Sequence, residues 1–363
     1  MTITISSPED LLAALPYQVG FHPRESLVVV VLREHTICFS ARLDIPREPA
    51  DALDLIDATC ERIAWATSQA GGDGALLVLY DDTPLGWGTL LAVGDRLSSW
   101  GLRMPLSALV AGGSWRQLGS DEPLHWGTWH PMPRADESGA VAEFVGLGRS
   151  AAPDRETSLD LLRPTPGPDG MMARVTGREA RIPVLATGAW RRFFTLGAVD
   201  EPDFWWPDSA TAVAMGRSLL DREFCDALIA LLVPDSVPLD ALVPGALVRA
   251  QDLLGRALEP PRAGCGEPSW QRQASTHAAV ERIFFRFATL SRMCPPPISA
   301  GAYCVTALLA GRLGRGHLCS AAIDEALAAD PQHVLAGLLH RALVRGMLPG
   351  HAVAGQAPGA GVA

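Results

Sequence analysis

Residues 26 to 45 read "SLVVVVLREHTICFSARLDI", and this stretch decides the fold of the first part of the chain. Two β-rich runs flank the short polar segment "REH", which is the pattern of a β-hairpin. The first run is apolar at every position from 27 to 32. Because such a strand has no polar face to turn towards water, we predict that it lies buried at the centre of a sheet.

The segment before this hairpin carries the start signals of a helix. In "SSPEDLLAAL", Ser7 is a predicted N-cap, Pro8 occupies the first helical position and Asp10 follows three residues after the cap. Pro16 and Gly20 are expected to end this helix.

The segment after the hairpin alternates helices with strands. A long helix is predicted from "PADALDLIDATCERIAWATSQA", which "GGDG" ends, and "ALLVLYDD" is another buried strand. The apolar positions of the predicted long helix recur at helical spacing, and they are Leu53, Ile56, Cys60, Ile63 and Ala64. With a further helix in "GTLLAVGDRLSSWG" and a strand in "MPLSALVAG", residues 1–120 are predicted to form an α/β sandwich with a mixed sheet.

The rest of the chain has a different periodicity. Residues 121–170 are predicted to be an irregular connecting segment, and 171–347 a mainly helical domain in which one helix is predicted near 209–232. Small residues, a glycine turn and Asp330-Pro331 give residues 300–346 the pattern of a tetratricopeptide helical hairpin of about one and a half repeats. Residues 348–363 have little to bury and are predicted to be disordered. The fold class is therefore α+β or α/β, with the sheet domain preceding the helical one.

Composition excludes several kinds of chemistry. All 30 basic residues are arginine, so the lysine that a P-loop, a kinase or a Schiff-base enzyme needs does not exist here. The net charge is -10 and no basic run occurs, which disfavours nucleic acid as a partner. No G-x-S-x-G, H-E-x-x-H or G-x-G-x-x-G motif is present. No catalytic residue is assigned from the sequence.

The sequence also indicates a compartment. Seven cysteines occur without a C-x-x-C pair, the first residues lack a signal-peptide pattern, and the longest aliphatic run, "LVVVVL" at 27–32, is too short to span a bilayer. We therefore expect a cytoplasmic protein with reduced thiols and no membrane partner.

Residues 125–131 read "HWGTWHP", with His125 and His130 five positions apart. One interpretation is a metal site, although a metal ion needs three or four donors and the neighbouring sequence adds only acidic residues. The other, which we favour, is that the tryptophans cover apolar surface while the histidines lie at a solvated edge. No metal and no cofactor are predicted.

Two stretches are candidates for binding. "GFHPRES" at 20–26 precedes the central strand, where α/β ligand sites tend to form, and the alternative interpretation is a structural turn, which we favour. "DFWWPD" at 203–208 is either a protein-docking site or a buried hinge. The candidate ligand-binding residues are His22, Arg24, Ser26, Trp115 and His125, and the candidate partner-binding residues are Phe204, Trp205 and Trp206.

Several stretches together resemble the actinobacterial family called domain of unknown function 4192. They are "SPEDLLAALPYQVGFHPRESLVVVVL", "ARLDIP", "DRE" at 154–156 and the closing "ALLAGRLGRGHLCSAAIDEALAADPQHVLAGLL". The resemblance covers most of the chain and implies no known activity, substrate or cofactor. Members often have a cysteine cluster after a tryptophan like Trp115, whereas Gly119 and the region of Leu124 and His125 stand in its place here.

These observations lead to two functional hypotheses. The first is a cytoplasmic protein that binds or scaffolds other proteins without catalysing a reaction, with a partner that the sequence does not name. The alternative is an enzyme or small-ligand sensor whose pocket lies near His22, Ser26, Trp115 and His125, between the α/β and the helical domains.

Overall fold

The fold is taken from a computed structural model that describes residues 7–33, 36–46, 48–119, 126–146, 149–164, 183–195, 207–234, 236–254 and 269–347. The chain divides into two compact units. The first runs up to Arg155 and includes Arg345–Met347, and the second is Glu156–Val344. The first contains a mixed sheet with helices and the second is helical, so the α+β class predicted from the sequence is confirmed.

The first unit is built on a six-stranded sheet with the strand order β2-β1-β3-β4-β5-β6. All neighbouring strands are antiparallel except β3 and β4, which are parallel and are connected through α3. The strands are β1 (Ser26–Arg33), β2 (Thr36–Asp44), β3 (Gly74–Tyr80), β4 (Arg103–Ala111), β5 (Ser114–Gln117) and β6 (His130–Pro131).

Helices cover both faces of this sheet. On one face, α1 packs Leu11, Leu12 and Leu15 against the strands, and we call it the α1 face. On the opposite face, α2 and α3 pack against the alternate strand residues. The helices of this unit are α1 (Pro8–Val19), α2 (Pro49–Ala70), α3 (Pro84–Ser99) and α4 (Gly139–Gly146).

The hairpin prediction is confirmed. Strand β1 pairs with β2 on one side and with β3 on the other, and its residues from Ser26 to Val31 are buried. Alternate residues of β1 therefore contribute to the apolar cores on both faces, as the unbroken apolar run predicted.

The start of α1 and its end at Gly20 are as predicted, but Pro16 does not stop the helix. The Ser7 side chain accepts a hydrogen bond from the backbone N–H of Asp10 at 3.2 Å, and Pro8 is the first helical residue. Pro16, however, lies inside the helix, which continues to Val19 and ends at Gly20 with a φ of 90°. A proline removes one backbone donor, and here the apolar contacts of the α1 face hold the last turn in place nonetheless.

One position of α2 was predicted wrongly. Ile56, Cys60 and Ile63 are buried against the sheet, as their spacing predicted, but Leu53 is 69% exposed. Leu53 lies one turn before the stretch that contacts the strands, so helical spacing alone assigned it to a face that is not covered there.

The described part of residues 121–170 contains β6, α4 and a short helix, α5 (Arg155–Leu159). Helix α4 packs Ala140, Val141 and Phe144 against α1. The predicted tail, residues 348–363, lies outside the described residues.

The second unit consists of helices around one large apolar core. The predicted helix at 209–232 is two helices, because Asp221 interrupts it and caps the second by accepting from the N–H of Phe224 at 3.3 Å. Helices α11 and α12 are separated by a short turn in which Gly314 has a φ of 73°, and the tetratricopeptide likeness of this pair stays a prediction. The helices are α6 (Pro183–Phe194), α7 (Ser209–Ser218), α8 (Arg222–Leu232), α9 (Pro244–Leu254), α10 (Ser269–Met293), α11 (Ser299–Arg312), α12 (Gly316–Ala329) and α13 (Val334–Val344).

His333 caps the last of these helices, and this contact depends on pH. Its Nδ1 accepts a hydrogen bond from the N–H of Ala336 at 3.3 Å, which requires that nitrogen to be unprotonated. Burial lowers the pKa of His333 below 6.5, although the carboxylate of Asp330 opposes the shift. The folded state therefore favours neutral imidazole, so the contribution to stability is complete above pH 6.5 and is lost as the pH falls through the lowered folded pKa.

We expect the free energy of unfolding of the helical unit to fall between pH 7.5 and pH 5 in part because of His333. In His333→Asn, the side-chain amide oxygen still caps the helix but nothing titrates, so this part of the pH dependence is expected to disappear. Urea unfolding of both proteins at the two pH values measures the difference. Parallel losses of stability in wild type and variant would contradict the assignment.

Within the described ranges, no helix is both long enough and apolar enough to cross a bilayer.

Candidate functional site

Polar side chains line one row of the sheet on the α1 face. Ser26 of β1 pairs with Tyr80 of β3 and, on its other side, with Asp44 of β2. On the far side of β4, Trp115 of β5 pairs with His130 of β6. Residues that pair across neighbouring strands point to the same face, so the register collects on one face residues that are far apart in sequence.

Three polar atoms in this row are buried without a hydrogen-bond partner. They are Ser26 Oγ, the Tyr80 hydroxyl and Trp115 Nε1. Ser26 is 0% exposed and Trp115 is 4% exposed. An unsatisfied buried polar group costs about 1–3 kcal/mol, so three in one row are an unusual concentration in a folded protein.

Burial also fixes the protonation state of the tyrosine. It raises the pKa of Tyr80 far above its usual range. The hydroxyl therefore keeps its proton at all physiological pH values and is available as a hydrogen-bond donor.

Arg42 of β2 adds positive charge to the same face. It pairs with Val28 of β1, so it lies on the α1 face two residues from Asp44. One terminal nitrogen lies 2.6 Å from the Asp44 carboxylate, and another donates to the carbonyl of Arg24 at 3.3 Å. Its guanidinium stacks over the Phe21 ring at 5.6 Å, and its Nε is buried without a partner.

A second arginine influences this group. Burial lowers the pKa of Arg42, the carboxylate of Asp44 opposes that shift, and the positive charge of Arg155 adds to it. Arg155 belongs to the "DRE" stretch, whose neighbour Ala152 exchanges backbone hydrogen bonds of 3.0 Å with Gly20 and His22. This backbone pairing holds the segment around Arg155 near β2, so the charge of Arg155 affects the pKa of Arg42.

The backbone beside Ser26 has an uncommon conformation. Glu25 has a φ of 45°, and it is the only residue other than glycine with a positive φ among those described. Such conformations cost energy and occur preferentially at functional sites. The outlier directly precedes the buried serine and the polar row.

The structure brings together some of the candidate ligand residues but not all. Ser26 and Trp115 lie in the same row. Ser26 of β1 is next to Tyr80 of β3, and Trp115 of β5 is on the other side of β4. The side chains of His22 and Arg24 are exposed, and only their backbones take part, in pairing with Ala152 and in accepting from Arg42. His125 lies outside the described residues, as do Phe204, Trp205 and Trp206.

Sequence reasoning missed Tyr80 and Arg42. Both belong to strands that were predicted, but which face each side chain occupies depends on the register with β1. A usable signal was present, since "ARLD" alternates apolar with charged residues and "LVLY" ends an apolar run with a tyrosine.

The tryptophans of "HWGTWHP" pack around an arginine on the opposite face. Trp126 and Trp129 stack on Arg116 of β5, together with Trp87 from α3. The ring of His130 lies 5.4 Å from that of Trp115 and its side chain is exposed. Among the residues that the structure describes, no three His, Cys, Asp or Glu side chains come together as metal ligands would.

The helical unit contains a separate small cavity of about 190 Å³. Cys294 contributes to its wall, but burial raises the pKa of this thiol to about 12 and its Sγ donates to the carbonyl of Ala212 at 3.3 Å, so it is not a thiolate nucleophile. Burial also raises the pKa of Glu325. The lining residues are Pro164, Ser291, Cys294, Pro296, Ser299, Tyr303, Glu325, Ala328 and Ala329.

The structure is that of a two-unit α+β protein with a row of buried polar side chains on its sheet. The chain belongs to the family described as Domain of unknown function (DUF4192), which matches it over residues 8–238 and 269–350. The resemblance seen in the sequence is therefore confirmed. No curated protein and no solved structure matches the chain.

Proposed function

We propose that the α/β unit binds a small anionic ligand at the polar row of the α1 face. The observation that carries this proposal is the set of three buried polar atoms without partners, on Ser26, Tyr80 and Trp115. Folded proteins rarely leave such groups unpaired, and a bound molecule that accepts their hydrogen bonds would remove the cost.

The chemistry of the row favours an acceptor-rich ligand. Indole and guanidinium groups donate and cannot accept, and the protonated Tyr80 hydroxyl is also available as a donor. The carboxylate of Asp44 is already engaged by Arg42. Asp44 offsets the charge of Arg42, so Arg155 leaves a net positive charge beside the row, and a carboxylate or phosphate group fits there better than a neutral or cationic one.

The same residues support binding more than catalysis. A serine nucleophile needs an adjacent base, whereas Ser26 Oγ has no hydrogen-bond partner. Tyr80 holds its proton too firmly to act as a base near neutral pH. We therefore propose a ligand sensor or carrier, which corresponds to the alternative hypothesis from the sequence, with its pocket placed within the α/β unit.

Native mass spectrometry of the full chain from its own host, with metal analysis of the same sample, tests this proposal. A small-molecule adduct is expected in the wild type and is expected to be lost in Tyr80→Phe and Arg42→Gln. Thermal shifts with inorganic phosphate and with succinate measure the same site. Arg96→Gln, which alters an exposed pair with Asp57, is the control and should keep the adduct.

Tyr80→Phe separates binding from folding, because it removes a hydroxyl that has no partner. Its melting temperature without ligand is expected to equal or exceed that of the wild type. If neither an adduct nor a shift with phosphate or succinate is seen in the wild type, the ligand site does not exist. A metal found in stoichiometric amount would indicate a metal site in place of the proposed anion site.

A second candidate function is binding of a protein partner in the cytoplasm, which the sequence favoured. The supporting observation is α13, where Val334 is 70% exposed and Leu338, one turn later, is 50% exposed. Two neighbouring exposed aliphatic residues on a helix suit a partner surface. A Val334→Asp, Leu338→Asp double variant that co-purifies with the same proteins as the wild type would rule out this surface.

A further inference from the structure

Arg116 lies on the face of the sheet opposite the polar row. It pairs with Leu109 of β4, whose side chain belongs to the core under α2 and α3. The segment that contains Trp126 runs beside β5, since Leu118 bridges to Trp126 and the N–H of Gly127 donates to the carbonyl of Gln117 at 2.8 Å. This pairing places two tryptophans next to the arginine side chain.

Three indole rings surround the Arg116 guanidinium. Its central carbon lies 4.4 Å from the ring centroid of Trp129, 5.0 Å from that of Trp126 and 5.6 Å from that of Trp87. Trp87 and Trp126 also contact each other, with ring centroids 6.1 Å apart. The indoles hold the cation through their π faces, so they fix its position without neutralising its charge.

The charge of Arg116 has no counter-ion on the described residues. No carboxylate of a residue within the described ranges lies within salt-bridge distance of its guanidinium, and its Nε is buried without a hydrogen-bond partner. Four other arginines of the α/β unit differ in this respect, since Arg42, Arg96, Arg103 and Arg134 each pair with an aspartate. A guanidinium stacked on rings binds an anion through its planar edge, and the planar partner that matches it is a carboxylate.

We propose that Arg116 and Trp129 form a docking point for an acidic side chain of a protein partner. Trp129 is 44% exposed, so the docking point lies at the surface and would be covered by a partner. Tryptophan and arginine dominate binding energy at protein interfaces, and they occur here as one stacked unit. The site is separate from the polar row, because Trp115 and Arg116 point to opposite faces of β5.

A single positive charge favours a carboxylate over a phosphate group. Arg116 is the one cation stacked on Trp87, Trp126 or Trp129 among the residues described. A phosphate carries close to two negative charges near neutral pH, and proteins usually meet it with several donors or a cluster of arginines. A glutamate or aspartate side chain matches the charge and the fork geometry.

Nuclear magnetic resonance of the full chain, labelled with ¹⁵N at the tryptophan indoles and arginine Nε atoms, tests the proposal. The probe is an acetylated and amidated tetraglutamate peptide, with the tetraglutamine peptide and inorganic phosphate as comparisons. We expect the signals of Trp129 and Arg116 to shift with tetraglutamate, at least tenfold less affinity for phosphate, and no shift with tetraglutamine.

Arg116→Gln is expected to abolish the shift of Trp129, whereas Arg103→Gln, which alters an exposed arginine paired with Asp73, should retain it. Trp129→Ala is a second variant that removes only a partly exposed ring, so it should weaken tetraglutamate binding at least threefold without lowering the melting temperature.

A shift that persists in Arg116→Gln, or equal binding of tetraglutamine or phosphate, overturns the proposal. Self-association that Arg116→Gln abolishes would put a second copy of the chain on this surface and also overturn it. Tyr80→Phe should leave the shift unchanged, which separates this site from the ligand site.

Discussion

Replacing Trp190 with alanine is expected to lower the free energy of unfolding of the helical unit by about 3–5 kcal/mol. Trp190 in α6 is 1% exposed and lies at the centre of an aromatic cluster. Its ring stacks on Phe194 at 5.5 Å and contacts the edges or faces of three other rings, those of Phe193, Phe224 and Phe287. Alanine would remove these contacts and leave a cavity that the surrounding helices cannot fill without moving.

The indole nitrogen adds to this effect. Trp190 Nε1 donates to Ser218 Oγ at 2.9 Å, a contact between α6 and the end of α7. Urea unfolding followed by circular dichroism at 222 nm measures the loss, and Leu220→Ala is the control because Leu220 is 55% exposed. The control is expected to change stability by less than about 0.5 kcal/mol. A loss below about 1 kcal/mol for Trp190→Ala would mean that the cluster is not packed as described.

Replacing Arg286 with alanine is the second large effect that we expect, at about 2–5 kcal/mol, because it leaves a cavity and two unpaired carbonyls. Arg286 of α10 is 0% exposed, and its Nη1 donates to the carbonyls of Phe193 and Thr195, the latter at 2.9 Å. These carbonyls close the C-terminal end of α6, where backbone acceptors have no partner within the helix. Burial, with a smaller effect of the Arg282 charge, lowers the pKa of Arg286 to about 10, so the side chain is still charged at pH 7.

A second substitution at this position separates charge from volume. Arg286→Met fills most of the space but offers no donor, so we expect a smaller loss of about 1–3 kcal/mol from the unpaired carbonyls. Urea unfolding of the three proteins at pH 7 provides the comparison. Equal stability of wild type and Arg286→Ala would contradict a structural role for the buried charge, and equal losses in both variants would assign the effect to hydrogen bonding alone.

Local sequence signals predicted much of the secondary structure. The cap at Ser7 and the hairpin at 26–45 were read correctly because a few neighbouring residues determine them. Leu53 and Pro16 were misjudged because tertiary packing decides whether a helical position is covered and whether a helix survives a proline. The break at Asp221 was missed because apolar periodicity continues on both sides of it.

The candidate site was predictable only in part. Ser26 and Trp115 were chosen as polar or aromatic residues near strands, and the structure places both in one row. Tyr80 and Arg42 complete that row through strand register, which a sequence pattern does not specify between distant segments. Arg116 was overlooked for the same reason, since its three indoles come from two separate stretches of the chain.

The backbone pairing of Gly20 and His22 with Ala152 has a consequence for how the protein is made. Synthesis proceeds from the N-terminus, and contacts between residues so distant in sequence are slow to form. The strands up to β5 are synthesised before Ala152 and Arg155. The proposed ligand site beside Ser26 is therefore completed only after the strands up to β5 have been made, and a chain that ends near residue 120 would carry Ser26, Tyr80 and Trp115 without Arg155.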